Sequence, residues 1–322
     1  RAQCSGAPVD LLTAYAMVDL PETEAMLFEP SFSRIPASAA ALSGKNVVTS
    51  ETFTCIYGWP ADYFGKEQLA DLKLVADALF ANGTNHIIWH GKPFNPAGSD
   101  SVKFYATVHV GPDGKLDEGL KGFNKYLGKV SAFMKQGKVY SQAAVYLPLE
   151  DNWTAGAMPR DKQFKWAWGH YEMRYEYIPR EMRAYQPIWV NGHFLKKAKY
   201  EDGFLKIAGQ QLRFLYLDVD YLDVEVLETV LKLAKEGLPV CLKKTPGQAG
   251  KVKSSDFGKM VDGLQKLENV GTELPLEHAR KKAFSYSIEP VVNSWCRKAG
   301  DGYYIFMANP GAGKLKFPLG YG

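Results

Sequence analysis

The sequence predicts an α/β protein: the C-terminal portion of a (β/α)8 barrel, then a flavodoxin-like α/β domain, then a short β segment. Three observations carry this expectation. Between residues 1 and 150, short strand-like runs alternate with amphipathic stretches of helical period, the pattern of βα units in a parallel sheet. Polar residues collect where three of those strands end, and strand C-termini are where a barrel keeps its chemistry. A second α/β rhythm begins at Pro187, after an aromatic, loop-rich stretch.

Taken in order, Asp10 to Tyr15 reads as a short helix and Ala16 to Leu20 as a strand closed by Pro21. Ala37 to Leu42 is helical and stops at Gly44, which can turn left-handed without a Cβ penalty. Asn46 to Ser50 forms a strand running into Glu51. The clearest helix is Lys66 to Asn82, with Leu69, Leu72, Ala76, Leu79 and Phe80 on one face and Gly83 as its stop. Asn85 to His90 is the next strand. A helix from Gly119 to Gln136 ends at Gly137, and Val139 to Leu147 is again a strand. A whole barrel needs eight strands over about 250 residues. Residues 1–150 are therefore expected to be its closing part, with both chain ends cut and the remaining N-terminal part of the polypeptide as a partner.

Residues 151–280 hold the aromatic loop (Trp153, Trp166, Trp168, Tyr171, Tyr175, Tyr177) and the flavodoxin-like unit. There Leu212 to Val219 and Pro239 to Lys243 are strands flanking a helix from Val224 to Lys235. Residues 281–322 open a β domain whose best strand is Gly302 to Met307.

Composition narrows the function. Of 322 residues 46% are hydrophobic, enough for a substantial core, and no apolar run approaches the ~18 residues of a membrane span. A net charge of +4, from 39 basic and 35 acidic residues, is too balanced for binding nucleic acid through a basic surface. Cys4, Cys55, Cys241 and Cys296 are too scattered for a disulfide framework or a zinc site. Cys241 follows a strand but lacks the glycines of a nucleophile elbow. Gly311-Ala312-Gly313-Lys314 is no phosphate loop, because Leu315 replaces the Ser/Thr and Pro318 forbids the helix. Asn82-Gly83-Thr84 and Asn152-Trp153-Thr154 match the glycosylation pattern.

The chemistry points to carboxylates. Glu22, Glu24 and Glu51 lie at or just beyond two consecutive strand ends, where side chains converge on one ligand. Paired carboxylates suit glycosidic cleavage, one protonating the leaving oxygen while the other activates water or attacks the sugar carbon. The plainer alternative makes Glu22 and Glu24 turn caps and Glu51 a solvated strand end. His86 and His90 are about 13 Å apart on a strand and cannot share a metal; His90 suits substrate contact, and His86 a hydrogen-bonded core position. Tyr57, Trp59, Trp89 and Phe94 lie near the same strand ends, and flat rings match the apolar faces of sugars.

Arg1-Ala2-Gln3, Gly6-Ala7-Pro8, Asp19-Leu20-Pro21-Glu22-Thr23-Glu24, Thr49-Ser50-Glu51-Thr52-Phe53-Thr54, Gly83-Thr84-Asn85-His86 and His90-Gly91 follow one another in the chain. Together they resemble the second half of the catalytic barrel in glycoside hydrolase family 106, the α-L-rhamnosidases. The resemblance implies a barrel with accessory domains, inverting hydrolysis by two glutamates, a calcium ion touching sugar hydroxyls, and a periplasmic or secreted location. It implies that Glu51 is the general base, that Glu22 and Glu24 bind metal or substrate, and that Asn85 and His90 line the sugar site; Trp59 and Trp89, read from their rings near the strand ends, are expected to bind substrate beside them. The general acid is expected on an earlier strand. The stretch from Tyr146 to Tyr185 departs from the family pattern, so the sugar can differ. A carbohydrate-binding or scaffold fragment without turnover, and a retaining β-galactosidase-like enzyme, are the competing readings.

Overall fold

The computed structural model describes residues 2–3, 9–24, 30–54, 56–57, 66–91, 110, 114–156, 164–166, 169–171, 178–273 and 293–308. The first half runs β1 (Ala2–Gln3), α1 (Leu11–Ala16), β2 (Pro21–Glu24), α2 (Arg34–Leu42), β3 (Thr49–Thr52), α3 (Leu69–Phe80), β4 (His86–Trp89) and α4 (Asp117–Met134). Asp10 caps α1 by accepting from the Thr13 N–H at 3.3 Å. The four strands hydrogen-bond in the order β1-β2-β3-β4, and every pairing is parallel.

One strand is displaced from its expected place. Ala16 closes α1, and the apolar-looking Met17 to Leu20 make turns and bends with Met17 and Leu20 exposed. Pro21, read as a stop, is instead the first strand residue, a position that tolerates its missing N–H. Glu22 and Glu24 are thus inside a strand and do not cap a turn.

The run Val139 to Leu147 also divides. β5 (Lys138–Val139) and β6 (Ala143–Tyr146) belong to different sheets. After α5 (Leu149–Thr154) and the antiparallel pair β7 (Phe164–Trp166) and β8 (Gly169–Tyr171) come β9 (Ile188–Val190) and α6 (Gly192–Leu195). A meander of β10 (Lys199–Glu201), β11 (Phe204–Ile207) and β12 (Gln210–Leu212) precedes β13 (Phe214–Leu217), so the expected strand at Leu212 to Val219 also begins with a break. The chain continues through β14 (Tyr221–Leu222), α7 (Val224–Lys235), β15 (Val240–Leu242), β16 (Gly247–Gln248), α8 (Phe257–Gln265) and β17 (Val270–Gly271). Helix α7 has the bounds the periodicity gives, with Asp223 as its N-cap. The last described strands, β18 (Ser294–Ala299) and β19 (Gly302–Met307), form a hairpin that pairs with β5.

Strands β9-β6-β13-β15-β17 make one all-parallel sheet. Numbered along the chain this order is 2-1-3-4-5, one of the arrangements of doubly wound sheets. Its core is continuous with the first half: Leu12, Ile35 and Leu42 of α1 and α2 join Val145, Trp189, Leu215, Val230 and Leu264 in one cluster. The backbone N–H of Trp189 donates to Ser38 Oγ on α2 at 3.0 Å. Arg34 sits at the same seam, 6% exposed. Its guanidinium donates to the carbonyls of Pro187 (3.0 Å), Ser294 (2.8 Å) and Ala81 (3.3 Å) and lies 4.9 Å above the Trp295 ring.

Gly83 ends α3 at φ +99°, as its role as a stop requires. The seam also needs it to lack a side chain, since a Cβ there would lie 2.4 Å from Ala37 Cβ and 2.9 Å from Trp295 Cε2. Gly83→Ala is therefore expected to cost about 3 kcal/mol or more, read as a lower urea midpoint at unchanged slope. Asn82, in the glycosylation pattern, is buried and donates to Ala78 O at 2.9 Å, a position no glycan can reach in the folded chain.

Candidate active site

In parallel strands, residues in register turn their side chains to the same face. Glu22 is in register with Thr49, Glu24 with Glu51, Thr49 with His86 and Glu51 with Ile88. These side chains share one face of the first sheet. Thr23, Ser50, Thr52, Ile87 and Trp89 share the other, and Ile87 and Trp89 pack there against Leu72, Leu79 and Phe123 of α3 and α4. The carboxylates accordingly point away from the helices.

Glu22 is 2% exposed, and Thr49 Oγ1 donates to its Oε2 at 2.8 Å. Glu24 is buried too, nearer the strand's C-terminal end. Glu51 alone of the three is half-buried, which lets water or a sugar approach it. Glu24 and Glu51 sit side by side on neighbouring strands, about 4.8 Å apart along the hydrogen-bond direction. Two carboxylates so placed can hold one ligand between them.

Phe53 follows directly and turns the chain. It takes φ +77°, uncommon for a bulky residue, and is fully buried with its ring 4.6 Å from that of Trp89. No sequence signal marks a Phe for positive φ; the strain is visible only in the fold. His90 extends the ladder by one residue, its N–H donating to Thr52 O at 3.0 Å, and strand alternation sets it on the carboxylate face. The His90–Gly91 peptide is cis.

Two of the expected sugar contacts have protein partners of their own. Trp89 belongs to the helix side: its Nε1 donates to Asn124 Oδ1 at 3.0 Å and its ring meets Phe123 edge-on at 5.8 Å. The period-2 alternation puts it on the face opposite Glu51. Asn85 is spent at the other end of the strand. Its Oδ1 accepts from Val48 N (2.9 Å) and its Nδ2 donates to Asn46 O (2.8 Å) and Met134 O (3.3 Å), pinning the start of β4. His86 is exposed and no core residue; its Nδ1 is 3.1 Å from Lys135 Nζ, and partial burial and that ammonium hold its pKa below the ordinary value. Trp59 lies outside the described residues, as do Phe94, Trp168, Cys4, Cys55 and the Gly311 to Lys314 run. Thr49 and Phe53 are the residues that sequence reasoning missed. Only the strand alternation, applied with the corrected start of β2, would have brought Thr49 to Glu22.

Cys241 is inert. It is buried on β15, and burial pushes its thiol up to about 12. Iodoacetamide is expected not to label Cys241 in the native protein at pH 8. Labelling would reveal a thiolate that the fold does not support.

A calcium shell takes six to eight oxygens. Glu22 and Glu24 offer hard donors on one face, but no group of three or more His, Cys, Asp or Glu side chains converges on a metal position among the described residues. The fit is partial: among the described residues, carboxylates alone do not complete a shell.

The model of glycoside hydrolase family 106, described as alpha-L-rhamnosidase, matches residues 17–283. The chain is 24% identical over 208 residues to a Formosa agariphila protein named "Putative beta-glucuronidase", covering 63% of this chain and 16% of that protein. It also superposes on the structure of a rhamnosidase from Novosphingobium sp. PP1Y with a TM-score of 0.64 at 14% identity, over 91% of this chain and 29% of that one. The fold is shared with the rhamnosidase, and the chain spans less than a third of either relative's length.

Proposed function

The chain belongs to glycoside hydrolase family 106, and on that premise we propose that it forms part of an O-glycosidase that cleaves α-L-rhamnosides or related glycosides with inversion. The observation that carries the reading is the single carboxylate face, with Glu51 half-buried at the end of β3 beside Glu24. In this proposal Glu51 is the general base and takes a proton from the attacking water. Glu24 and His90 take sugar hydroxyls, and the Thr49 hydroxyl keeps Glu22 turned to the same face. The four parallel strands are half of a (β/α)8 barrel, the sequential order β1-β2-β3-β4 being the one a barrel uses, and the doubly wound sheet is a flavodoxin-like neighbour. The general acid is proposed on another barrel strand, its carboxyl roughly 6.5–9.5 Å from that of Glu51.

Assay of the intact protein on an aryl α-L-rhamnoside tests the substrate, and an aryl β-glucuronide is the comparison that the Formosa agariphila relative suggests. Proton NMR of the first-formed sugar tests the stereochemistry: the inverted anomer supports the base role. Retention would mean that the carboxyls are only about 5–5.5 Å apart and that one is a nucleophile.

Calcium belongs to the same proposal. Bound at Glu22 and Glu24, it would supply a hard Lewis-acidic contact for sugar hydroxyls, whose oxygens would fill out the shell. Exhaustive EDTA treatment is expected to raise KM severalfold, with calcium but not sodium restoring it. Unchanged KM would remove the ion from the proposal.

A further inference from the structure

Glu51 lies at the C-terminal end of its sheet, but the groove with the most evident binding chemistry lies at the other end. Lys135, at the end of α4, reaches His86 at the start of β4, so the chain leaving α4 emerges beneath the strands. There β5, the β11–β12 turn and the β18–β19 turn enclose a groove of about 480 Å3, a volume within the usual range for ligand pockets.

Its lining is one-sided in charge. Lys138, Arg213 and Lys298 contribute cations, and among the described residues that line it none is acidic. Rings stand among them. Tyr140 and Tyr303 meet edge-on at 5.0 Å, Lys298 Nζ lies 6.0 Å from the Tyr303 ring, and Arg213 lies 5.9 Å from the ring of Phe204. Tyr303 remains 45% exposed, a large ring held open to solvent. The third ingredient is amide: Gln142, Gln210 and Gln211 line the same space. Gln142 is only 5% exposed, yet its buried Oε1 has no hydrogen-bond partner. An orphaned buried acceptor costs about 1–3 kcal/mol, so a donor brought by a ligand would be favoured there.

Each ingredient selects part of a ligand. Cations with no acidic residue beside them in the described lining call for an anion. Exposed tyrosine edges and faces suit a flat, partly apolar ring. Amides suit hydroxyls, taken in either direction. A carboxylated sugar ring presents all three, and an open groove admits a chain of them. We propose that this groove is a noncatalytic binding site for an acidic, uronate-bearing oligosaccharide, held on the opposite end of the sheet from Glu51. It rests on the glycoside hydrolase reading only for the choice of sugar among ring-bearing anions.

The test uses the intact protein carrying Glu51→Gln, so that binding is measured without turnover. Calorimetric titration with octagalacturonate is compared with a neutral oligosaccharide of equal length. The acidic oligomer is expected to bind about tenfold or more tightly, and to weaken as salt screens the lysines. Lys138→Ala with Lys298→Ala, and separately Tyr303→Ala, change exposed side chains and are expected to keep the fold. Each is expected to weaken octagalacturonate by about tenfold, while kcat/KM on a small aryl glycoside, measured with Glu51 restored, stays unchanged. Equal binding of the neutral oligomer, no binding of the acidic one, or indifference to both variants would overturn the site. Competition by inorganic phosphate alone, as effective as the oligomer, would reduce it to a plain anion site and overturn the sugar assignment. If octagalacturonate binds but no glycoside is cleaved, the groove stands and the proposed hydrolase activity fails.

Discussion

Glu51→Gln in the intact protein is expected to lower kcat on the cleaved glycoside by about 10²–10⁴-fold, the usual span for a positioned general base. The change is nearly isosteric, and Glu51 is half-buried on a strand whose ladder is made by backbone groups, so stability should move little. KM should change far less than kcat, because a base that acts on water contributes mainly in the transition state. The pH profile is a sharper readout than the rate. A residual rate that keeps the wild-type acidic limb would assign that limb to another carboxyl and sink the base role. Glu24→Gln separates the neighbours: if Glu24 only takes sugar hydroxyls, its loss shows chiefly in KM.

Arg34→Met should be the most damaging substitution for stability, by roughly 3–5 kcal/mol against a total of about 5–15 for a domain. Methionine keeps the stem and removes the donors. That takes a donor from the carbonyls of Pro187, Ser294 and Ala81 and from Asn82 Oδ1, and loses the contact over Trp295. Because these groups come from α3, the start of β9 and β18, the loss should appear as a lower cooperative midpoint by both far-UV dichroism and tryptophan fluorescence. Arg34→Lys keeps a charge but not the planar fork, and should fall between methionine and the parent. If the two variants proved equally and barely destabilised, Arg34 would be a bystander at the seam.

Legibility in the sequence followed the range of the forces. The helices α3, α4 and α7 were readable because their period-3.6 stripes and stopping glycines are local signals. The polar strand ends drew attention to Glu22, Glu24 and Glu51, although the residence of Glu22 and Glu24 inside β2 was hidden by a proline that reads equally as an end or a beginning. The strand at Val139 to Leu147 looked unbroken because apolar residues run through it, yet Tyr140 to Gln142 carry the chain from one sheet to another, and sheet membership is decided by partners far along the chain. The partners that Trp89 and Asn85 take were hidden for a related reason. A motif gives proximity in sequence, whereas face and strand end decide what a side chain meets. Asn85 satisfies three backbone groups, a role indistinguishable in sequence from that of a polar ligand residue.

The shared core of α2 and β9 has a consequence for recombination. Ser38 takes the Trp189 amide, and Asn191 Nδ2 donates to both carboxylate oxygens of Asp10 at 2.7 and 2.8 Å. A chimera joined at residue 150, where the rhythm of the sequence invites a cut, would separate each of these pairs from its partner. Homologous exchange that kept α1 and α2 together with the doubly wound sheet would preserve them. For this architecture the exchangeable module is discontinuous in the chain, and an unbroken stretch of gene does not encode it.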